Sequence, residues 1–414
     1  MFTNSFKDSD IDTLVVAPKH VTRENFFTEF KELLSKQSQV TDIAGIPEAH
    51  VPILNFKYEG VEIDLSFASL HMTKIPPDLE LTDDVLNGLD DPTIKSINGT
   101  RVANQMLKLV PNPAVFKHAL RAIKLWASSK AVNQNKVGFL GGVAWAILVA
   151  RICQLYPTAV SAVIVAKFFR ILSSWPWPQP VQLNQIEDHR VLKVWNPKIY
   201  NQDRGHRMPI ITPAYPAMCA THNVTESTKI VIMKEMQKAA DIVDGILLGK
   251  LPWSSLFVKH TFFSDYKYYI IITAASRSAD TQLLWSGAVL SKVRILVQKL
   301  EVTESITLAR PYVKGFNFVH YCENEEQVRA VADGERPEGV EMKILDLAKT
   351  ALKNQKDNVI IDNEEGVVET DVKDKILVYT TRCYIALEID QSKFFFFFFF
   401  FFFKKKEKRP TTPD

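Results

Sequence analysis

Near the start of the chain, Val61-Glu62-Ile63-Asp64-Leu65-Ser66-Phe67 places apolar side chains at every second position, which predicts a half-buried strand, and Thr13 to Ala17 is a β-branched, apolar run that predicts another over Ile11 to Ala17. A third strand-like run spans Val51 to Tyr58, with a helix-like segment from Arg23 to Gln37 before it. From Pro113 the apolar spacing lengthens to that of helices, over Val115 to Lys130, Gly138 to Tyr156 and Ala159 to Ser173. The proline-rich Trp175 to Pro180 then leads to a further helix at Thr225 to Leu248. Strands return after Ser255, with Tyr266 to Ala275, a helix at Ala288 to Leu300, and elements at Ile344 to Leu352 and Ile376 to Ile389. The charged stretch Cys322 to Gly339 reads as a loop.

This order predicts an α+β multidomain chain: an α/β unit over 1–111, a helical region over 112–258, a small α+β domain over 259–393 and a low-complexity tail over 394–414. The alternation in the third region suits a ferredoxin-like or RRM-like sheet. A length of 414 residues and 46% apolar content are ample for three cores. A net charge of +3 makes no global demand for nucleic acid, so any polyanion site must be local. The four cysteines, Cys153, Cys219, Cys322 and Cys383, lack metal-ligand spacing and read as reduced, buried thiols. Phe139 to Ile152, the most apolar stretch before the tail, carries Arg151 and is too short to cross a bilayer, so no membrane role is expected. The polar start of the chain is no signal peptide. Ten consecutive phenylalanines, Phe394 to Phe403, have no packing logic in a soluble protein and read as an artefact of translating a non-coding stretch, with a membrane-associating tail as the alternative. The basic run Lys404 to Arg409 resembles a nuclear-import patch.

The candidate chemistry lies in the first strands. Asp10 and Asp12, two positions apart, share a strand face, and Asp64 sits in a strand of its own. Adjacent strands would make the three carboxylates converge. Carboxylate oxygens are the hard donors that Mg²⁺ favours, and two ions about 3.5–4 Å apart serve phosphoryl transfer. An Asp-x-Asp pair by itself is more often a turn or a solvated strand edge.

Longer motifs resolve part of this. Asp8-Ser9-Asp10-Ile11-Asp12-Thr13-Leu14-Val15-Val16, Ala119 to Trp126, Gly138 to Trp145, Val194-Trp195-Asn196-Pro197 and Met208 to Asn223 together resemble the eukaryotic nuclear poly(A) polymerases. The resemblance is close from about Ser9 to Leu300 and looser beyond. It implies a nucleotidyltransferase palm, a helical middle domain and an RRM-like domain that helps hold RNA. It also implies template-independent addition of AMP from ATP to RNA 3′ ends, with two Mg²⁺ or Mn²⁺ ions. By motif, Asp10 and Asp12 would ligand both ions, while Asp64 would bind one and help deprotonate the RNA 3′ hydroxyl. Lys124 would neutralise the triphosphate as a point cation. Asn135 would contact the sugar or base, Gly142 would let backbone approach the ligand, Val143 would lie against the adenine, and Thr225 is a weaker candidate for its edge. The family further implies a nuclear monomer recruited by cleavage and polyadenylation factors.

Several positions depart from the family pattern. Thr3-Asn4-Ser5-Phe6-Lys7 stands where the family has a Gly-Ser pair that cradles phosphate, and the N-terminus reads as cut short. Asn133, in the nucleotide-binding set, replaces a phosphate-contacting tyrosine; Asn55 replaces a lysine; His50 replaces a phenylalanine beside the base. Loss of single positioning donors commonly costs about 10²- to 10³-fold in rate. The alternative is therefore a catalytically inactive paralogue or fragment that retains binding of RNA or processing factors.

Overall fold

The structure is a computed structural model that describes residues 11–49, 51–347, 350 and 375–392. The chain forms two compact units, one comprising 1–125 and 142–222, the other 126–141 and 223–414.

The first unit is built on a four-stranded sheet of β1 (Ile11–Pro18), β2 (Val40–Ile46), β3 (Ile53–Tyr58) and β4 (Val61–Leu70), in the order β1-β4-β3-β2. β1 runs parallel to β4, and the remaining pairs are antiparallel. Strand alternation gives the sheet two distinct faces. One carries Ala17, Leu54, Phe56, Leu65 and Phe67, and is closed by Phe26, Phe30 and Leu34. These last three come from a continuous helical segment made of α1 (Arg23–Asn25), a wider-wound turn (Phe26–Phe30) and α2 (Lys31–Ser35). Phe26 stacks on Phe67 with ring centroids 4.9 Å apart.

The other face is divided along its length. At one end Leu14, Val16, Ala68 and Leu70 pack with Ile94 and Ile97 of α3 (Asp91–Leu109), whose N-cap Asp90 accepts from Thr93 N. At the other end the same face carries Asp12, Asp64 and Asn55. The apolar half anchors the helix, and the polar half is left for chemistry.

Beyond α3 come α4 (Pro113–Ser129), α5 (Gly142–Leu155), α6 (Ser161–Leu172) and the short α7 (Asn201–Arg204). α5 is nearly all buried, with Trp145, Ile147 and Leu148 at its centre. Arg101, on α3, is fully buried and satisfied: it donates to Leu81 O at 2.9 Å, to Asn98 Oδ1 at 3.2 Å, to Tyr215 O and to Asp83.

The second unit contains α8 (Glu226–Leu247), α9 (Phe262–Asp265), β5 (Tyr268–Ser276), α10 (Ala279–Glu301), β6 (Ile306–Pro311), β7 (Phe316–Cys322), α11 (Glu325–Ala332), β8 (Glu341–Ile344) and β9 (Ile376–Ile389). The long β9 is the spine of the sheet. β5 pairs along one edge, and β7 and β6 take successive parts of the other, all antiparallel. Gln282 on α10 is buried and donates to Ala274 O and Thr381 Oγ1, at 3.0 and 2.9 Å, which fixes that helix to the sheet.

Several elements differ from the sequence expectation. The stretch Cys322 to Gly339 contains α11, whose Val328 and Val331 pack on Cys322 and Val378; two core valines among many charges were too sparse a signal. α3 and β2, both absent from the sequence reading, are short of strict periodicity, since α3 is only weakly amphipathic and β2 is shifted in register between Thr41 and Ala44. The helix expected from Gly138 starts at Gly142, because Gly138 has φ +100° and ends a short turn. The helix placed at Ala288 to Leu300 begins at Ala279 instead, where Ser278 caps it, and β6 and β7 follow it. The Phe394 to Phe403 tract and the Lys404 to Arg409 run lie outside the described residues.

Replacing Arg101 by Met should destabilise the chain by about 2 kcal/mol, because it removes the buried donor of the Leu81 and Tyr215 carbonyls while Asp83, partly exposed, keeps His189; a shift in the urea unfolding midpoint measures it. A second test concerns His320, which is buried against Thr380 Oγ1 at 2.9 Å. Burial, then Arg382 and Arg336, push its pKa from 6.5 down to about 4. The unfolded chain thus binds the extra proton between those values, so His320's contribution is complete above pH 6.5 and is lost as pH falls through about 4. Melting curves recorded across that range should fall towards acid, and His320→Gln should flatten the slope.

Candidate active site

The first cluster grows out of strand register. Asp12 on β1 and Asp64 on β4 are Cα partners across the parallel pair, and Asn55 on β3 is the partner of Asp64 across the antiparallel one. Direct partners share a face, so the three side chains form a row across three strands. Two further contacts lock the register: Thr13 Oγ1 donates to Asp64 O at 3.3 Å and Ser66 Oγ to Thr13 O at 2.9 Å. Asp12 is exposed and Asp64 half-buried. Asn55 Nδ2 donates to Asp64 Oδ1 at 2.6 Å.

Lys124 joins this row from α4. Burial lowers its pKa, and the carboxylate of Asp12 acts against that shift, which places a half-buried ammonium within electrostatic reach of the acidic row. A Cβ added at Gly142 would come 3.5 Å from Lys124 Nζ. The lysine head thus lies against the exposed first turn of α5, where Val143 is 41% exposed. An apolar side chain held in solvent at a helix start is free to cover a flat ligand.

The second cluster lies within the other unit. Asn135 to Val137 form a single tight turn ended by Gly138. Thr228 Oγ1 donates to Gly138 O at 2.7 Å, and Asn223 Nδ2 to Asn135 O at 3.3 Å. A Cβ on Gly138 would meet Asn223 O at 3.2 Å, so both the left-handed backbone and the close approach call for glycine. Asn133 is exposed and Asn135 half-buried. Thr225 is the N-cap of α8: Thr228 N donates to its hydroxyl at 3.3 Å, and its own N–H goes to Thr228 Oγ1 at 2.9 Å. Only 3% exposed, this threonine serves its helix, and its hydroxyl is already engaged.

Of the residues singled out in the sequence, Asp12, Asp64, Lys124 and Gly142 therefore come together in the first unit, with Val143 next to Gly142. Asn135 and Thr225 belong to the turn and cap of the second, and Asn133 lies two residues before that turn. Asp10 and His50 lie outside the described residues.

Two features had no signal in the sequence. Asp83, Glu187 and His189 bring potential ligand atoms within 4.8 Å of one another, but none of the carboxylates expected from the motifs is among them. His189 Nε2 already meets Asp83 Oδ2 at 3.1 Å, and Asp83 is paired with Arg101. Asp83, Glu187, Arg101, Lys108 and Tyr215 also line a cavity of about 670 Å³. These residues come from well-separated stretches, and no spacing along the chain announces them.

The carboxylate row fits a divalent cation by its donor chemistry: ionised oxygens from adjacent strands, one exposed and one half-buried, with a neutral amide rather than a cation on Asp64. Among the described residues, no helix is long and apolar enough to cross a membrane.

Three family models match successive parts of the chain: the poly(A) polymerase nucleotidyltransferase domain over 2–110, the poly(A) polymerase central domain over 115–259, and the poly(A) polymerase predicted RNA binding domain over 261–394. The poly(A) polymerase pla1 of Schizosaccharomyces pombe is 53% identical over 390 residues, 93% of this chain and 69% of the relative. The poly(A) polymerase PAPa of Candida albicans is 49% identical over 93% of this chain and 68% of its own length. A crystal structure of the Cid1 poly(U) polymerase with MgGTP bound is much more distant, at 16% identity and a TM-score of 0.41 over 63% of this chain and 84% of that one. Identity of about half the residues along nearly the whole chain settles the relationship: this chain belongs to the poly(A) polymerase family.

Proposed function

We propose that the chain is a polynucleotide adenylyltransferase that transfers AMP from ATP to the 3′ end of RNA without a template. The observation that carries this reading is the side-by-side pairing of Asp12 and Asp64 across β1 and β4, with Lys124 within reach of Asp12. Its substrates rest on the relatives, which are named poly(A) polymerases, and on the family model that covers 261–394. The division into palm (1–111), helical middle domain (112–258) and RNA-binding domain (259–393) belongs to the same proposal. So do a monomeric state, nuclear residence, and recruitment by cleavage and polyadenylation factors.

In this reaction the RNA 3′ oxygen forms a bond to the α-phosphorus of ATP, and the bond from that phosphorus to the bridging oxygen breaks to release pyrophosphate. Asp12 and Asp64, with Asp10, would hold two Mg²⁺ or Mn²⁺ ions. Those ions supply charge neutralisation at the attacking and leaving oxygens when bound. Asp64 receives the proton of the 3′ hydroxyl, directly or through a water. Lys124 offsets the negative charge of the triphosphate, its stem partly buried along α4 and its head next to Gly142. Val143, exposed at the start of α5, covers the base. The reaction has little covalent chemistry for the protein to perform, so positioning and charge dominate the rate.

Asp64→Ala should abolish primer extension on a short oligo(A) RNA while leaving RNA affinity within about twofold, since it removes a carboxylate from the reacting centre and nothing from the RNA surface. Extension is measured with each of the four nucleoside triphosphates in Mg²⁺ or Mn²⁺, and RNA affinity by fluorescence anisotropy. Incorporation of AMP alone supports the reading. Undiminished extension by the variant would remove Asp64 from the mechanism, and a folded wild-type chain that binds RNA without extending it would favour the inactive paralogue. Lys124→Met should raise the KM for ATP at least tenfold with a smaller change in kcat, because the lysine neutralises ground-state phosphate charge as well as the transition state.

A further inference from the structure

We infer that Asn55 is a positioning residue for the metal-binding carboxylate of Asp64, an inference that rests on the reading of Asp64 as a metal ligand. The geometry is direct: Asn55 and Asp64 are partners across β3 and β4, and Asn55 Nδ2 donates to Asp64 Oδ1 at 2.6 Å. An ionised carboxylate accepts and never donates, so the amide must present its nitrogen, and this contact defines which way Asn55 faces. The backbone on which both groups ride is fixed as well, by Thr13 Oγ1 on Asp64 O and Ser66 Oγ on Thr13 O.

The chemical type of the partner matters as much as its presence. A single donor holds one oxygen and thereby sets the plane of the carboxylate, leaving Oδ2 for other ligands. Being neutral, it does this without cancelling the charge that attracts a divalent ion. An apolar residue would leave the carboxylate free to rotate, and an unheld ligand loses affinity. Outer-shell partners of metal ligands commonly contribute about 10- to 100-fold in affinity.

The test uses the full chain and Mn²⁺ as the probe, followed by the electron paramagnetic resonance signal of free Mn²⁺, alone and with an ATP analogue that resists cleavage between its α and β phosphates. Asn55→Leu keeps the outline of the side chain and removes the donor; Asn55→Lys keeps a donor and adds charge; Asp64→Ala is the reference. Melting curves in EDTA establish that each variant folds, and Asn55→Ser replaces the leucine variant if that one does not. The expected result is Mn²⁺ affinity about tenfold weaker for Asn55→Leu and within about twofold of wild type for Asn55→Lys, which keeps a donor, with melting in EDTA unchanged. An affinity within twofold of wild type for Asn55→Leu, beside a tenfold loss for Asp64→Ala, would overturn the role of Asn55 and leave Asp64 as a ligand. Unchanged Mn²⁺ binding in Asp64→Ala would overturn the underlying reading and the inference with it.

Discussion

Everything at the carboxylate site depends on the register of one parallel strand pair. β1 and β4 meet with Asp12 opposite Asp64, and a slip of one residue would turn every side chain of β1 to the other face. The slip would carry Asp12 towards the Phe26 core and pull Leu14 and Val16 out from under α3. Burial of Leu14, Val16, Ala68 and Leu70 against Ile94 and Ile97 therefore enforces the geometry of the acids. Each fully buried side chain of this kind contributes about 1.5–3 kcal/mol, whereas bringing two like charges side by side is unfavourable without a cation. The apolar half of the face holds together what the polar half would push apart.

The same division of labour recurs in the second unit. The turn Asn135–Val137, just after Asn133, buries Val137 completely and also needs its backbone held. It is held by Thr228 on Gly138 O and by Asn223 on Asn135 O, so that the N-terminus of α8 acts as its scaffold. That scaffold is tied onward to the sheet. Ser227 N donates to Glu301 Oε1 at 2.6 Å, and Ala309 N on β6 donates to Ser227 Oγ at 3.0 Å. Thr225 caps the helix that performs this role. A residue that a motif would assign to the base thus contributes by keeping the first turn of α8 intact, and the capping box accounts for its burial and its partners.

What the sequence revealed follows from how local each signal was. The strand around Asp64 was legible because Val61 to Phe67 alternates strictly, while those around Asp12 and along β9 were legible as runs rich in β-branched and apolar residues. α4 and α8 were found within two residues of their ends by helical spacing. α3 was missed because its buried positions include Thr93, Ser96 and Arg101, so the inward face does not look apolar. α11 was missed because eight residues contain only two core valines. At the site, the acids and Lys124 could be singled out by motif. The contact of Asn55 with Asp64 could not, since it depends on an antiparallel register that no spacing along the chain specifies.

Position 55 shows how a departure from a family pattern is read differently once register is known. In the sequence, Asn55 counts as a lost cation and therefore as a weakened site. In the structure, the same residue is a neutral donor on the half-buried carboxylate of Asp64. Lys57, two positions on, is paired with Asp42 at 2.9 Å, so β3 has a lysine close by and spends it at the sheet edge rather than on the acidic row. The positive charge that faces the row comes instead from Lys124, set on α4 beside Asp12. Cation and hydrogen-bond donor are thus supplied by different elements to different aspartates. Each carboxylate is held by a different kind of partner: Asp12, the exposed one, lies opposite a full charge, while Asp64, the half-buried one, is oriented by a dipole that leaves its own charge intact. Three strands and one helix thus share the support of the two acids: register sets them side by side, β3 orients one, and α4 brings a cation to the other.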